Sequence, residues 1–443
     1  MKVVIEKMGI NGEGIGYIQK RPVFVPGALL KEVVDINVVE SFKTYSIGKL
    51  MRVYEESPNR VEPVCPMQRR CGACPLMICK YEEQLNIKRD VLKQSLIKYA
   101  QVDPRLIKHV IPCKRTLNYR NQCKVPFSMV DRELVTGMYQ PNSNYFTEVE
   151  DCPIHEKGLE RVRKAILKVL NKYYCRSYDY HQKRGYRTLV IRGMGDRYQV
   201  TLVTGLDEIA PAVVADLMAI EGVVSLYQSV HTQKKGVDIF GPKVTLLAGE
   251  RYLDFEFMGL KLALSPRSFF QLNTQQAARL YQKAIELLDN HYGLIVEAYS
   301  GIGGISLALK DKADEIIGIE NVKDAVVNAN ANARANGAKH VSFICDDAAN
   351  KLVYLSKTRN IDLLVVDPPR SGLDDNMLDC ILRGKIKQIL YISCNPATLG
   401  KNLSVLRQRY DVKVVQPVDL FPNSQHIESI VLLQRKSSKR SEY

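Results

Sequence analysis

Short runs of alternating apolar and polar residues, broken by glycine and proline, fill the start of the chain. Val3 to Ile5, Val23 to Val25 and Glu32 to Val39 read as strands. Gly9, Gly12, Gly14, Gly16 and Gly27, with Pro22 and Pro26, read as the turns between them. This predicts a small all-β module over residues 1–53, of the kind of Gly-rich barrel that often binds oligonucleotides. Pro58 and Pro63 mark a linker. Tyr81 to Ala100 predicts a helix. From about residue 105 to 265 the pattern is mixed, with strand-like runs at Gln122–Phe127, Thr188–Arg192 and Tyr198–Val203. Helices are predicted at Glu156–Leu170 and Ile209–Ile220, so this region reads as α+β. The last third alternates strand and helix: Ile295–Ala298, Glu315–Ile319, Val341–Cys345, Leu363–Val366 and Gln388–Ser393 each precede a helical stretch. That alternation predicts a parallel, doubly wound sheet, with Val412–Val415 and Ser429–Leu433 as an antiparallel pair at one edge. The expected units are therefore 1–53, 54–265 and 266–443.

Composition adds a partner class. Of 443 residues 46% are hydrophobic and 25% charged, which are globular values. No apolar run approaches a membrane span, and Met1–Lys7 lacks the apolar core of a signal peptide. The expectation is a cytoplasmic protein with no membrane contact. A net charge of +15 favours a polyanion, most simply nucleic acid. Two basic stretches interleaved with tyrosine, Tyr119–Gln122 and His181–Arg187, fit phosphate contact combined with base stacking.

Eleven cysteines in a chain with no export signal argue for metal binding or catalysis rather than disulfides. Cys65, Cys71 and Cys74 fall within ten residues, separated by glycine and proline. Cys152, also followed by proline, is the best fourth ligand. All-thiolate ligation suits an iron–sulfur cluster or structural zinc, and spacing alone does not choose between them. Cys79 is a weaker ligand candidate, and Cys113, Cys123 and Cys175 read as packed thiols.

Cys394 stands apart from that group. It ends the buried strand Ile389–Ser393 where Asn395 and Pro396 turn the chain into a helix. Unpaired amides and the dipole at a helix N-terminus favour a thiolate. An ordinary thiol is only ~3% ionised at pH 7, a handicap of about 2 kcal/mol that a modest downward shift removes. At the same predicted sheet edge lie Glu297–Gly304, a glycine-bearing loop after the first strand, and Glu320 at the end of the second. Loop and carboxylate together indicate an adenosine-type ligand, either a dinucleotide or S-adenosylmethionine. Asp367-Pro368-Pro369-Arg370 ends the fourth strand, its prolines holding a rigid turn.

Ser268–Asn273, Asp367–Arg370, Ser393–Pro396 and Phe421–Glu428 jointly resemble the RNA (uracil-5-)-methyltransferases that make 5-methyluridine. The resemblance covers nearly the whole chain. It implies that Gln271, Tyr299, Glu320 and Asp367 contact S-adenosylmethionine, with Cys394 as nucleophile and Glu428 as base. Cys65, Cys71, Cys74 and Cys152 match the 4Fe-4S ligands of the ribosomal-RNA branch, and residues 1–53 look like its TRAM domain. The implied architecture is thus a TRAM/OB-like barrel, a central α+β RNA-binding domain with an iron–sulfur loop, and a Rossmann-like methyltransferase domain. The implied enzyme is a monomeric 23S rRNA (uracil-5-)-methyltransferase. Departures are Glu297-Ala298-Tyr299-Ser300-Gly301 where the family usually has Asp-Leu-Tyr-Cys-Gly, Gly304 where it often has Thr or Asn, and Asn423-Ser424 for His-Thr.

The chemistry explains the residue types. Uracil C5 is a poor nucleophile until a thiolate adds at C6, and a carboxylate must later remove the C5 proton. The base must be single-stranded or flipped out. Two enzyme alternatives are methylation of an exocyclic amine, which needs no Cys394, and methylation of cytosine C5. A non-catalytic RNA-binding role is the third.

Overall fold

The computed structural model describes residues 1–233 and 238–437. Six strands form the first unit: β1 (Lys2–Val4), β2 (Lys7–Met8), β3 (Gly14–Ile18), β4 (Arg21–Val25), β5 (Val33–Ser41) and β6 (Ser46–Glu55), in the order β1-β5-β6-β4-β3-β2. The sheet curls until Val3 and Val4 lie against Gly16, where any Cβ would collide with them. Val3, Ile5, Val23, Val25, Val34 and Ile36 fill its interior. The alternation seen in the sequence is the in–out alternation of these strands.

Next come the short turn α1 (Gln68–Cys71) and the long helix α2 (Tyr81–Ala100). The central sheet comprises β7 (Gln122–Val130), β8 (Glu133–Tyr139), β9 (Phe146–Glu148), β10 (Tyr186–Met194), β11 (Arg197–Thr204), β12 (Val223–Val230) and β13 (Val244–Gly249). Its order is β13-β12-β11-β10-β7-β8-β9. Helices α3 (Lys157–Lys172) and α4 (Pro211–Met218) cover one face, with Leu159, Val162, Ile166, Leu170, Val213 and Leu217 in a shared core.

The hairpin β14 (Leu253–Phe257) and β15 (Leu260–Leu264) precedes α5 (Thr274–Glu286) and the large C-terminal sheet. Its strands are β16 (Tyr292–Ala298), β17 (Ala313–Glu320), β18 (Val341–Cys345), β19 (Leu363–Val366), β20 (Gln388–Ser393), β21 (Tyr410–Val418) and β22 (Glu428–Arg435). Its helices are α6 (Gly304–Ala308), α7 (Lys323–Ala335), α8 (Ala348–Thr358), α9 (Asp375–Arg383) and α10 (Pro396–Leu406). Strand order is β18-β17-β16-β19-β20-β22-β21: the first five run parallel and β22 inserts antiparallel between β20 and β21.

Packing divides the chain differently from the linear boundaries at 54–265 and 266–443. α5, α6 and α7 cover one face of the C-terminal sheet, and α8, α9, α10 together with α2 cover the other. Leu92, Leu96 and Ala100 of α2 are in the same core as Tyr391, Leu399 and Leu403. The reason is a stripe of buried residues four apart: Gln84, Lys88, Leu92, Leu96 and Ala100. Each leucine buried there contributes about 1.5–3 kcal/mol. β14 and β15 also join the C-terminal core, through Leu253, Phe257, Leu260, Leu262 and Leu264. No helix among the described residues is long and apolar enough to cross a membrane.

Candidate active site

Sheet register decides which side chains meet. Ala298 pairs with Ile319 on one side and Val366 on the other, and Val366 with Tyr391. Tyr299, Glu320 and Asp367 therefore emerge at the C-terminal edge of the parallel strands, the ligand side of such sheets. Ser393 pairs with Ser429, which brings the start of β22, and Glu428 with it, to the end of β20 where Cys394 leaves the sheet.

The turn holding Cys394 is tightly built. The Asn395 side chain accepts from the Ala397 amide at 3.0 Å and caps α10, while its Nδ2 donates to the Arg370 carbonyl at 3.1 Å. Asn402 fixes the other end of the Asp367–Leu373 loop: its Oδ1 accepts from the Leu373 amide and from the Tyr391 hydroxyl, and its Nδ2 donates to the Leu373 carbonyl. The aspartate loop and the cysteine turn are thus held as one piece.

The electrostatics reverse one expectation. The Cys394 thiol is pushed up to about 12, first by burial, then by Glu428 and Asp367, with Arg370 pulling the other way. Helix-terminus assistance is outweighed by burial and, after it, by two carboxyls delivered from the ends of β19 and β22, distant in sequence. Those carboxyls are raised too. Burial, then Asp367, lifts Glu428 to about 8, and burial lifts Asp367 to about 7. His426 is lowered to about 4 by burial and by Arg370, Lys88 and Arg120, so its ring is neutral at pH 7. Three acids crowd one pocket, and two of them titrate near neutrality.

Glu428 owes its place to the loop that precedes it. Asp419 is fully buried and pairs with Lys88 at 2.6 Å, while Tyr81 donates to its other oxygen at 2.8 Å. Lys88 also donates to the Phe421 carbonyl at 3.0 Å. The Tyr119 hydroxyl donates to the Pro422 carbonyl, and Asn423 is bonded to Gln84, the Leu76 amide and the Thr116 carbonyl. Asn273 Nδ2 donates to the Leu420 carbonyl. The loop 419–427 is the meeting point of the cysteine segment, α2, residues 116–119 and the start of α5. Sequence reasoning missed Lys88, Tyr81 and Asp419; a buried-stripe lysine was the available signal.

The glycine loop has room for a ligand. Gly301, at φ +54°, has no atom within 4 Å of where its Cβ would stand. Its amide donates to Glu320 Oε2 at 3.0 Å, and the Val322 amide donates to Oε1 at 2.9 Å. Tyr299, at φ +64°, is a non-glycine residue in a left-handed conformation, the kind of strain that clusters at ligand sites. The Ser300 hydroxyl is buried without a partner. These features fit an adenosine-type ligand. Glu297, which opens the sequence motif, instead points inward, accepting from the Ser306 amide at 2.9 Å, and burial raises it to about 8. Gln271 is buried, its carbonyl accepting from Asn121, and neighbouring Phe270 reaches the start of α6 beside Gly304. Two open clefts, of about 1040 and 730 Å³, lie elsewhere, around Arg115–Tyr198 and around Lys108–Gln416.

Among the described residues no group of three or more His, Cys, Asp or Glu side chains is arranged to hold a metal ion. Cys65, Cys74 and Cys152 do share one neighbourhood beside Met77, Tyr119 and Ile154, and Cys71 lies close enough to act on all three thiols. Cys74 is pushed up to about 12 by burial and by Cys152, Cys71 and Cys65. Cys79 lies apart, against Leu76, Ile78 and Ile87.

A doubly wound sheet with an inserted antiparallel strand and ligand-facing residues along one edge is the architecture of a methyltransferase. Comparison with known proteins agrees. The family model described as tRNA (Uracil-5-)-methyltransferase matches residues 258–436, and the TRAM domain model matches residues 1–51. Relatives named as RNA methyltransferases from Bacillus cereus and Listeria innocua are each 35% identical over 98% of this chain, covering 96% and 97% of their own lengths. One from Clostridium tetani is 34% identical over 98% of this chain and 96% of its own. The chain belongs to the RNA (uracil-5-)-methyltransferase family. Its fold matches the tRNA (uracil-54, C5)-methyltransferase of Pyrococcus abyssi, solved with S-adenosyl-L-homocysteine, at a TM-score of 0.77 and 23% identity over 98% of this chain and 99% of that one.

Proposed function

We propose that the protein methylates C5 of uridine in 23S ribosomal RNA, using S-adenosylmethionine and a covalent bond from Cys394 to uracil C6. The observation carrying this reading is the shared pocket of the Cys394 thiol and the Glu428 and Asp367 carboxyls at the sheet edge. The thiol gives its proton to solvent and its sulfur adds to C6, moving the ring electrons toward C5 and O4. Bound S-adenosylmethionine would supply an electrophilic methyl carbon, which C5 would take as the S–CH3 bond breaks and S-adenosyl-L-homocysteine leaves. The Glu428 carboxylate then removes the C5 proton, the C–S bond breaks, and the thiolate returns. A carboxyl near 8 suits that exchange better than an ordinary one, because it takes and releases protons close to working pH. Gly301, Tyr299, Glu320 and Asp367 would hold the cofactor, with Gln271 beside them.

RNA substituted with 5-fluorouracil tests the scheme, since fluorine cannot leave as a proton. The wild-type protein should form an adduct stable to denaturation, and Cys394→Ala none; absence of the wild-type adduct would defeat the reading. A Cys394→Ala variant that still methylates would favour an exocyclic-amine target, and mass spectrometry of the product separates uracil from cytosine.

The ribosomal assignment rests on the TRAM domain and the four neighbouring thiols. The family description and the Pyrococcus neighbour favour transfer RNA instead. Mapping 5-methyluridine in both RNAs from cells lacking the protein decides. For the thiols, the donor set suits a 4Fe-4S cluster, which spans more space than one ion and favours thiolates that otherwise repel each other. Iron and sulfide analysis of anaerobically purified protein tests it: about four irons per chain is expected.

A further inference from the structure

Helix α7 and the residue that ends it carry four asparagines within nine residues: Asn328, Asn330, Asn332 and Asn336. Asparagine is a poor helix former, because its amide competes with the backbone for hydrogen bonds. Asn328, Asn332 and Asn336 are spaced four apart, so they share one face of the helix, and that face meets β15. Asn336 Oδ1 accepts from the Lys261 amide at 2.9 Å, Asn332 Oδ1 from the Ala263 amide at 2.8 Å, and Asn328 Oδ1 from the Ser265 amide at 3.3 Å. Four helical residues advance about 6 Å and two strand residues about 6.6 Å, so helix and strand edge stay nearly in step. β15 pairs only with β14, and the asparagines satisfy amides on its other edge.

Covering a strand edge is a structural task, but two of these side chains reach further. Asn332 Nδ2 donates to the Ile302 carbonyl at 3.1 Å. Ile302 lies between Gly301 and Gly303, both at positive φ, where the backbone would otherwise swing freely. Asn328 Oδ1 also accepts from the Ser268 hydroxyl at 2.8 Å, and Ser268 shares a 2.7 Å hydrogen bond with Ser265. Ser268 leads into Phe269-Phe270-Gln271, where the Phe270 ring packs beside Gly304 at the start of α6. Asn330 points elsewhere: it bonds both the amide and the carbonyl of Phe343, whose ring covers Gly303. α7 itself follows Glu320, whose carboxylate accepts from the Val322 amide. One helix therefore holds the glycine loop, the ribose carboxylate and the segment 265–271 together. Asn328 and Asn332 are each 1% exposed, so they act through the backbone that they hold.

We propose that Asn328 and Asn332 are positioning residues for S-adenosylmethionine, tying Ser265–Ser268 and Ile302 to one helix so that two walls of the cofactor cleft keep the spacing the bound cofactor needs. The proposal rests on the reading of this cleft as the S-adenosylmethionine site. Without a tether, a wall must be ordered during binding, which weakens affinity and leaves the chemistry of the bound state alone.

The test titrates S-adenosylmethionine into the full chain by calorimetry, with thermal melts alongside. Asn328→Ala and Asn332→Ala should each raise Kd about tenfold. Asn336→Ala is the control: it removes two bonds to Lys261 at the far end of the same ladder, and Kd should stay within about twofold of wild type. Asn328→Asp should restore wild-type affinity, because both partners of Asn328 Oδ1 are donors and a carboxyl oxygen accepts from them too. In turnover assays the two alanine variants should raise KM for the cofactor, with kcat at saturation within about twofold of wild type. The milder Asn328→Ser and Asn332→Ser carry the same expectations if an alanine variant does not fold. Unchanged Kd in the Asn328 and Asn332 variants would make the ladder purely structural and overturn the proposal. Equal weakening in the Asn336 variant, or no rescue by Asn328→Asp, would overturn it as well. Wild-type protein that binds no S-adenosylmethionine would overturn the cofactor reading and this proposal with it.

Discussion

Two cysteine settings in this protein reach the same thiol pKa by different neighbours. Cys394 and Cys74 are both pushed to about 12, and burial is the largest cause for each. The second cause divides them. Cys394 faces carboxylates that titrate near 7 and 8, whereas Cys74 faces three other thiols. Protonating Glu428 or Asp367 relieves Cys394, so its reactivity is tunable by ordinary pH. Thiols already hold their protons at neutral pH, so only a positive centre or a change of structure relieves Cys74. One arrangement suits a nucleophile that must form and break a bond each turnover. The other suits a permanent bond.

The sharpest way to separate the two is deletion. Cys394→Ala should lower methyl transfer more than about 10⁴-fold, measured with radiolabelled cofactor. Cys74→Ala should leave the 5-fluorouracil adduct at Cys394 detectable. Glu428→Gln comes next: turnover should fall about 10²–10⁴-fold, with methylated RNA accumulating as a covalent complex on denaturing gels. The same variant should lower the apparent pKa of Cys394 in iodoacetamide alkylation, because it removes the largest charged neighbour opposing the thiolate.

Breaking the support beneath Glu428 is a smaller effect. Lys88→Met leaves the buried Asp419 with the Tyr81 hydroxyl but no cation, so stability should fall by about 3–5 kcal/mol in urea titration. The mildest prediction concerns pH. Glu428, Asp367 and Glu297 all rise on folding, to about 8, 7 and 8. Between about pH 4 and 8 these three carboxyls therefore hold more protons in the folded chain than in the unfolded one, and their contribution to stability should fall as pH rises. Glu428→Gln should flatten that slope in thermal melts between about pH 5 and 8 while abolishing efficient turnover. A steeper slope in the variant would contradict the buried carboxyl cluster.

Much of this was readable in the chain. The runs at Leu363–Val366 and Gln388–Ser393 are strands with those same ends, since strands buried on both faces leave no polar alternation to blur them, and Val341–Cys345 is a strand over its expected span at the sheet edge. Tyr81–Ala100 is likewise a helix over that span. Its partner was hidden because Gln84 and Lys88 occupy the upper half of its buried stripe, so the pattern looks weakly amphipathic. The Cys394 environment was hidden for another reason: its opposing charges come from β19 and β22, and local sequence shows only the favourable helix end. The metal expectation rested on cysteine spacing and on the family resemblance; the fold brings Cys65, Cys71 and Cys152 close enough to act on Cys74.

The placement of α2 sets a timetable for synthesis. Residues 81–100 leave the ribosome early, yet the surface that covers Leu92 and Leu96 ends with β22, at residue 435. At about 5–20 residues per second that is a wait on the order of half a minute. Throughout it the barrel and central sheet can close on their own cores while α2 keeps greasy leucines in water. The nascent chain is a natural client for a chaperone over that interval, and the catalytic edge is completed only when its last strand arrives.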